Sequence, residues 1–312
     1  MTLALATTTP TATGRLSDLF WRRPRLLVLI MLLPPVLWLG IVYIGSLFAL
    51  LLQSLFSIDE FSGLITYQLT LSTYAQLFTP ANLDIIVRTV AMAALVTLAS
   101  AFIAFPVAYV AARYAKGRWK AVFYLGVMLP LWSSYLVKVY AWKLLLAKEG
   151  ILSWVFEQLH IGFLLDAWLA LPVIGGSSLS VSYTGTFLVF TYIWLPYMIL
   201  PVQAALERVP RNLIDASSDL GANPRQTFRH VILPLALPGV VAGSIFTFSL
   251  TLGDYIIPSI IGSSRLFIGQ MVYQQQGLAG NLPLAAAFTV VPIVIMGLYL
   301  WGAKRLGAFD AL

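Results

Sequence analysis

Residues 207–238 read ERVPRNLIDASSDLGANPRQTFRHVILPLALP, and this stretch decides the fold. It joins two apolar runs, roughly 186–206 and 235–258. Its punctuation is legible. Pro210 ends the incoming helix, and Asn212 is placed to cap a short helix through its side-chain oxygen. Residues 213–220 then make about two turns. Gly221 stops them, because glycine enters the left-handed region at no steric cost. Asn223-Pro224 restarts the helix, with asparagine as cap and proline at the first helical position, where its missing N–H costs nothing. This second helix is expected to run to Leu233, before Pro234. The reading is a compact helix–turn–helix at a membrane surface. Leu213, Ala216, Ser217 and Leu220 share one face by their spacing, and Asp215 and Asp219 fall on the other.

Outward from this stretch the chain is apolar. Of 312 residues, 60% are hydrophobic and 10% charged, with mean hydropathy +0.88. A soluble domain carries roughly 25% charged residues, so this chain lacks the polar surface to sit in water. Crossing about 30 Å of hydrocarbon takes about 20 apolar residues. Six runs qualify: 26–52, 85–112, 121–136 with an extension towards 146, 186–206, 235–258 and 284–301. Several contain proline, which membrane helices tolerate when neighbours satisfy the freed carbonyls. Residues 167–182 are apolar too, but Pro172 and Gly175-Gly176-Ser177-Ser178 interrupt them, and they read as an extramembrane loop or at most a re-entrant segment.

The charges orient these spans. Fourteen of the 19 basic residues fall in the N-terminal tail, the second-to-third loop, the fourth-to-fifth loop and the C-terminal tail. That side nets +9 and the opposite side −2. By the positive-inside rule both termini are cytoplasmic, in keeping with six spans. The net charge of +7 is therefore a topology signal and implies no nucleic-acid partner. Arg22-Arg23-Pro24-Arg25 before an apolar run resembles a signal peptide, but the run exceeds the usual core of roughly 7–15 residues and reads as a retained span. Residues 1–14 read as disordered. The expected organisation is a cytoplasmic tail at 1–25, a membrane domain at 26–306 with a cytoplasmic loop at 207–234 and a large external loop at 147–185, and a tail at 307–312.

Bond-breaking chemistry finds little to work with. Cysteine is absent, and His160 and His230 are too far apart to suggest a local metal pair. No lysine follows a glycine, which excludes a phosphate-binding GxxxxGK loop, and neither HExxH nor GxSxG occurs. The spans hold almost no polar clusters. A transport or scaffolding role without a metal site is the expectation.

The 207–238 stretch resembles the EAA motif of ABC importer permeases, EAA-x3-G-x9-I-x-L-P. Asp215-Ala216-Ser217 stands for EAA, Gly221 follows at the right distance, and Val231-Ile232-Leu233-Pro234 matches the end. Asp for Glu and Ser for Ala preserve charge and small size. The likeness extends over nearly the whole chain: residues 129–135 (LPLWSSY), Tyr140-Ala141-Trp142, 253–258 (GDYIIP), 266–269 (LFIG) and 281–287 (NLPLAAA) are similar to the spermidine/putrescine permease subfamily. That subfamily is close to permeases for iron(III), thiamine, opines and 4-aminobutyrate.

The resemblance implies an all-α, type I ABC importer permease-like bundle of six transmembrane helices in a bacterial inner membrane. It implies two permease subunits forming a pathway, the second a different chain, with an ABC ATPase dimer docked on the EAA loops and a periplasmic binding protein delivering substrate, polyamine by preference. ATP and Mg would be held by the ATPase, leaving this chain without a cofactor. Asp215, Ala216, Ser217, Leu220, Gly221, Leu233 and Pro234 would couple to the ATPase, and Arg211, Arg225 and Arg229 would meet either its acids or lipid phosphates. For the substrate path the candidates are Asp254, Tyr255, Trp132 and Tyr135. An acid attracts a polycation and tyrosine adds cation–π contact, whereas a capping role for Asp254 or pairing with Arg265, and an aromatic belt, are the competing readings. Lys138 and Lys143 sit awkwardly beside a cation path. An ion-gradient-driven carrier is the other class; it commonly shows paired broken helices in duplicated halves, and no internal repeat is evident.

Overall fold

A computed structural model describes residues 24–59 and 61–305. The segment expected to be disordered, most of the N-terminal tail and the whole C-terminal tail lie outside the described residues. The chain divides into two units at Gln53/Ser54. In the first, α1 (Pro24–Leu37) passes through a π-helical stretch (Trp38–Ile44) into α2 (Gly45–Gln53). Pro34 and Pro35 each withhold an N–H from the ladder, and the helix widens shortly after them before tightening again.

The second unit opens with a small antiparallel hairpin, β1 (Ser57–Ile58) and β2 (Ile65–Thr66). Asp59 holds its turn: the backbone N–H and hydroxyl of Ser62 and the N–H of Phe61 all donate to Oδ1, which keeps this carboxyl below its ordinary pKa. Helices α3 (Ser72–Leu77), α4 (Pro80–Arg113), α5 (Arg118–Trp132), α6 (Tyr135–Leu145), α7 (Ile151–Gln158) and α8 (Gly162–Leu169) follow. After them come α9 (Tyr183–Arg208), α10 (Arg211–Asp219), α11 (Pro224–Thr227), α12 (Leu233–Gly253), α13 (Ile256–Ile260), α14 (Ile268–Gly277) and α15 (Leu282–Arg305).

The core is built on α9, which packs against α4 and α12, themselves in mutual contact. Phe190, Met198 and Leu206 of α9 are fully buried. Close approach of α9 and α12 depends on two glycines one turn apart, Gly239 and Gly243. A Cβ at Gly239 would lie 2.6 Å from the Pro201 carbonyl oxygen, and one at Gly243 would lie 2.6 Å from Met198 Sδ. Small residues at this spacing let helices meet in an environment where hydrophobic burial offers no drive. Hydroxyls within the bundle bond back to their own helix: Thr97 to the Ala93 carbonyl, Thr247 to Gly243 and Thr251 to Thr247. These three hydroxyls thus stay satisfied without a partner helix.

The expected spans hold with two corrections. The third is broken: α5 and α6 meet at 95°, because Ser133 and Ser134 are extended. Five described helices are therefore long and apolar enough to cross a membrane, or six if the bent pair counts as one span. The fifth span ends at Gly253, not Pro258, and α13 follows as a separate element. The 147–185 connection carries two short helices, α7 and α8, and a 3-10 turn at Leu179–Val181.

Candidate functional site

Because α9 and α12 are consecutive long helices packed together, the segment joining them lies at one end of the bundle and residues 253–258 at the other. At the joining end, α10 begins at Arg211, two residues earlier than expected. Pro210, with φ −65°, occupies the cap position, so Asn212 is inside the helix and caps nothing. Gly221 stops the element as expected, at φ +81°. Asn223 caps α11 through a reciprocal pair: its Oδ1 accepts from the Gln226 N–H at 3.0 Å, and Gln226 Oε1 accepts from the Asn223 N–H at 2.9 Å.

The second helix does not end at Leu233. It continues through a π-helical stretch, Phe228–Ile232, into α12, giving one helical run from Pro224 to Gly253. The widened turn just before Pro234 accommodates a residue that cannot donate to the ladder. Leu233 is half-buried and Pro234 exposed within that run.

The faces of α10 also differ from their reading. Leu213, Ala216 and Leu220 are exposed, Leu220 at 89%, but Ser217 turns inward. Its hydroxyl is 3.0 Å from that of Thr227, and Ile214 packs on the core beside it. Asp215 borders a cleft of about 460 Å³ shared with Tyr109, Arg113, Lys116 and Arg211. His230 is exposed, its Nδ1 3.0 Å from the Gln226 carbonyl oxygen. Among the described residues no group of three or more His, Asp or Glu side chains could hold a metal.

At the opposite end a cavity of about 560 Å³ opens between α5, α6, α9 and α12. Asp254, Tyr135 and Tyr255 line it; Trp132 does not, and stands 82% exposed. Asp254 is tethered on both oxygens. Oδ1 accepts from the N–H groups of Ile256 (2.6 Å) and Ile257 (3.1 Å), and Oδ2 accepts from the Tyr135 hydroxyl. It therefore caps α13 while presenting a carboxylate to the cavity, and among the described residues it makes no ion pair with Arg265. Gly269 lies over it, where a Cβ would sit 2.6 Å from the Asp254 carbonyl oxygen. Tyr255 stacks on Tyr273, centroids 5.1 Å apart.

Sequence reasoning missed the far wall. Trp194 and Tyr197 of α9 line the cavity, and Tyr135 stacks on Trp194 at 5.8 Å and 20°. An indole within an apolar span was the available signal, since its N–H needs a partner when buried; Trp194 Nε1 has none among the described residues. Lys138 also lines the cavity, but its ammonium donates to the Pro130 carbonyl oxygen at 2.7 Å. That carbonyl is left over by the break after α5, so the lysine acts as a cation at a helix C-terminus.

Comparison with known proteins shows the family and the fold. The model of the family "Binding-protein-dependent transport system inner membrane component" matches residues 104–307. The chain is 59% identical over 299 residues to the inner membrane ABC transporter permease protein YdcU of Escherichia coli K12, covering 96% of each. It is 28% identical over 243 residues to the spermidine/putrescine transport system permease protein PotB of the same strain, covering 76% of this chain and 83% of that one. Among solved structures it is similar to a chain of a bacterial ABC transporter involved in import of the acidic polysaccharide alginate, with TM-score 0.67, 15% identity, and 93% and 99% of the two chains covered. It is also similar to a chain of the inward-facing MetNI methionine ABC transporter, with TM-score 0.51, 18% identity, and 75% and 100% covered. At such identity the solved structures speak for the fold alone.

Proposed function

The chain belongs to the inner membrane components of binding-protein-dependent transport systems, and from that premise we propose that the solute it carries is a small organic amine of the polyamine class. As a member it is a multi-pass permease subunit of an ABC importer and not an enzyme. One observation carries the finer reading: Asp254 stands in a cavity walled by Tyr135, Trp194, Tyr197 and Tyr255. A carboxylate beside aromatic faces attracts an alkylammonium group by charge and by cation–π contact. The similarity to PotB points the same way.

In this reading α10 is the dock of a partner ATPase. Its exposed Leu213, Ala216 and Leu220 meet that partner, and Gly221 turns the chain sharply behind it. ATP and Mg belong to the ATPase, a second permease chain completes the pathway, and a periplasmic binding protein delivers the solute. The α10 end and both termini face the cytoplasm, and Asp254 faces the periplasm. ATP-driven closure of the ATPase pair then works the helix bundle between two arrangements. The test is reconstitution of the complete transporter in liposomes and uptake of labelled putrescine and spermidine against 4-aminobutyrate and iron(III). ATP-dependent uptake restricted to 4-aminobutyrate or to iron(III) would overturn the reading.

A further inference from the structure

Three donors converge on one carboxylate oxygen where α9 meets the α10 loop. Glu207 Oε1 accepts from Tyr124 Oη at 2.9 Å, from Lys120 Nζ at 3.0 Å and from Gln203 Nε2 at 3.1 Å. Lys120 and Tyr124 stand one turn apart on α5, while Gln203 stands one turn before Glu207 on α9. Two residues beyond Glu207, the Val209 carbonyl accepts from Arg113 Nη2, at the last turn of α4, at 3.3 Å. The base of the α10 loop is thus fastened to both helices that flank residues 114–117.

The two fastened partners differ in how else they are held. Of α9, Phe190, Met198 and Leu206 are fully buried; of α5, Val127 alone is buried. Within this chain α5 is therefore less buried than α9, and the hydrogen bonds at its start tie it to the end of that helix. Its other end runs across the Ser133-Ser134 break into α6, where Tyr135 bonds Asp254. One 15-residue helix spans the distance between the Glu207 cluster and that joint.

We infer that Glu207 is a positioning residue: it makes α5 move with the α10 loop, so that a displacement of α10 reaches the Tyr135–Asp254 joint. The inference depends on α10 being the ATPase dock. A helix is stiff along its axis, and a carboxylate held by three donors from two helices resists rotation. Pulling the loop therefore pulls α5.

The charge arrangement allows a reversal test. Gln203 Oε1 is buried without a partner among the described residues, so a lysine at position 207 finds an acceptor there. In the complete transporter in liposomes, Lys120→Glu and Glu207→Lys should each keep the ATPase bound yet lower uptake per ATP hydrolysed by roughly threefold to tenfold, within the lower part of the range for coupling between contacting residues. The double variant should recover most of the loss. Tyr124→Phe, which deletes one hydrogen bond and no charge, should give a smaller loss of uptake per ATP with the ATPase still bound. Parent-level uptake per ATP in both single charge variants would overturn the inference, as would a double variant no better than the worse single one. ATPase retention by Asp215→Lys is the separate check on docking: unchanged retention there counts against the dock, while the Glu207 variants are judged by uptake per ATP alone.

Discussion

Tyr135, the first residue of α6, donates its hydroxyl to Asp254, 119 positions later in the chain. The same carboxylate caps α13, so Asp254 has both a structural and an electrostatic reason to be there, and the two separate experimentally. Asp254→Asn keeps an oxygen for the N–H groups of Ile256 and Ile257 but removes the charge. Its melting temperature should stay close to the parent's, while the KM for a polyamine rises about tenfold, the worth of a lost charge-assisted interaction. Asp254→Ala removes the cap too and should cost about 1 kcal/mol of stability in addition. Uptake kinetics beside thermal unfolding make the distinction; a parent-like KM in the asparagine variant would leave only the cap.

Tyr135→Phe keeps the ring stacked on Trp194 and deletes the hydroxyl. The carboxylate then loses one of its three donors, at a cost of about 1.5–3 kcal/mol for a hydrogen bond to a charged group. Combined with Asp254→Ala the losses should fall short of additive, because both variants remove the same bond. A thermal double-mutant cycle measures this, and strict additivity would mean the bond contributes nothing.

Gly221 has φ +81° and no atom within 4 Å of the place a Cβ would take. Substitution there meets backbone strain, not a clash. Gly221→Ala should cost roughly 1–2 kcal/mol, Gly221→Asn less, because asparagine tolerates this region, and Gly221→Val the most. The graded loss should appear as ATP hydrolysis without uptake, with membrane insertion unchanged. Normal uptake per ATP by the valine variant would show that the sharp turn is not needed for coupling.

These residues also mark what the sequence made legible. Gly221 and the Asn223 cap are local events, decided within a few residues, and both stand where the spacing put them. The long apolar runs were equally readable, since membrane helices satisfy their backbone internally. The break at Ser133-Ser134 was not: no glycine marks it, and its bend depends on Lys138 and Ser133 taking up the Pro130 carbonyl oxygen. Trp194 beside Tyr135, and Lys120 beside Glu207, are tertiary pairings that no local pattern announces.

The glycine pair of α12 was readable in principle, as Gly239-Val240-Val241-Ala242-Gly243 inside an apolar run. Its meaning is steric. A Cβ at Gly243 would lie 2.6 Å from Met198 Sδ, 3.0 Å from Met198 Cα and 3.1 Å from its carbonyl oxygen. The thioether can swing aside, but the backbone atoms belong to the buried centre of α9 and cannot. Gly243→Ala should therefore push α9 and α12 apart and destabilise by about 1–3 kcal/mol, despite the better helix propensity of alanine. Gly297→Ala on α15 is the matched control, because nothing lies within 4 Å of its added Cβ. There propensity acts alone and should stabilise by roughly 0.5–1 kcal/mol. Melting of the two variants in detergent should move in opposite directions; equal shifts would mean that α9 and α12 have room to spare.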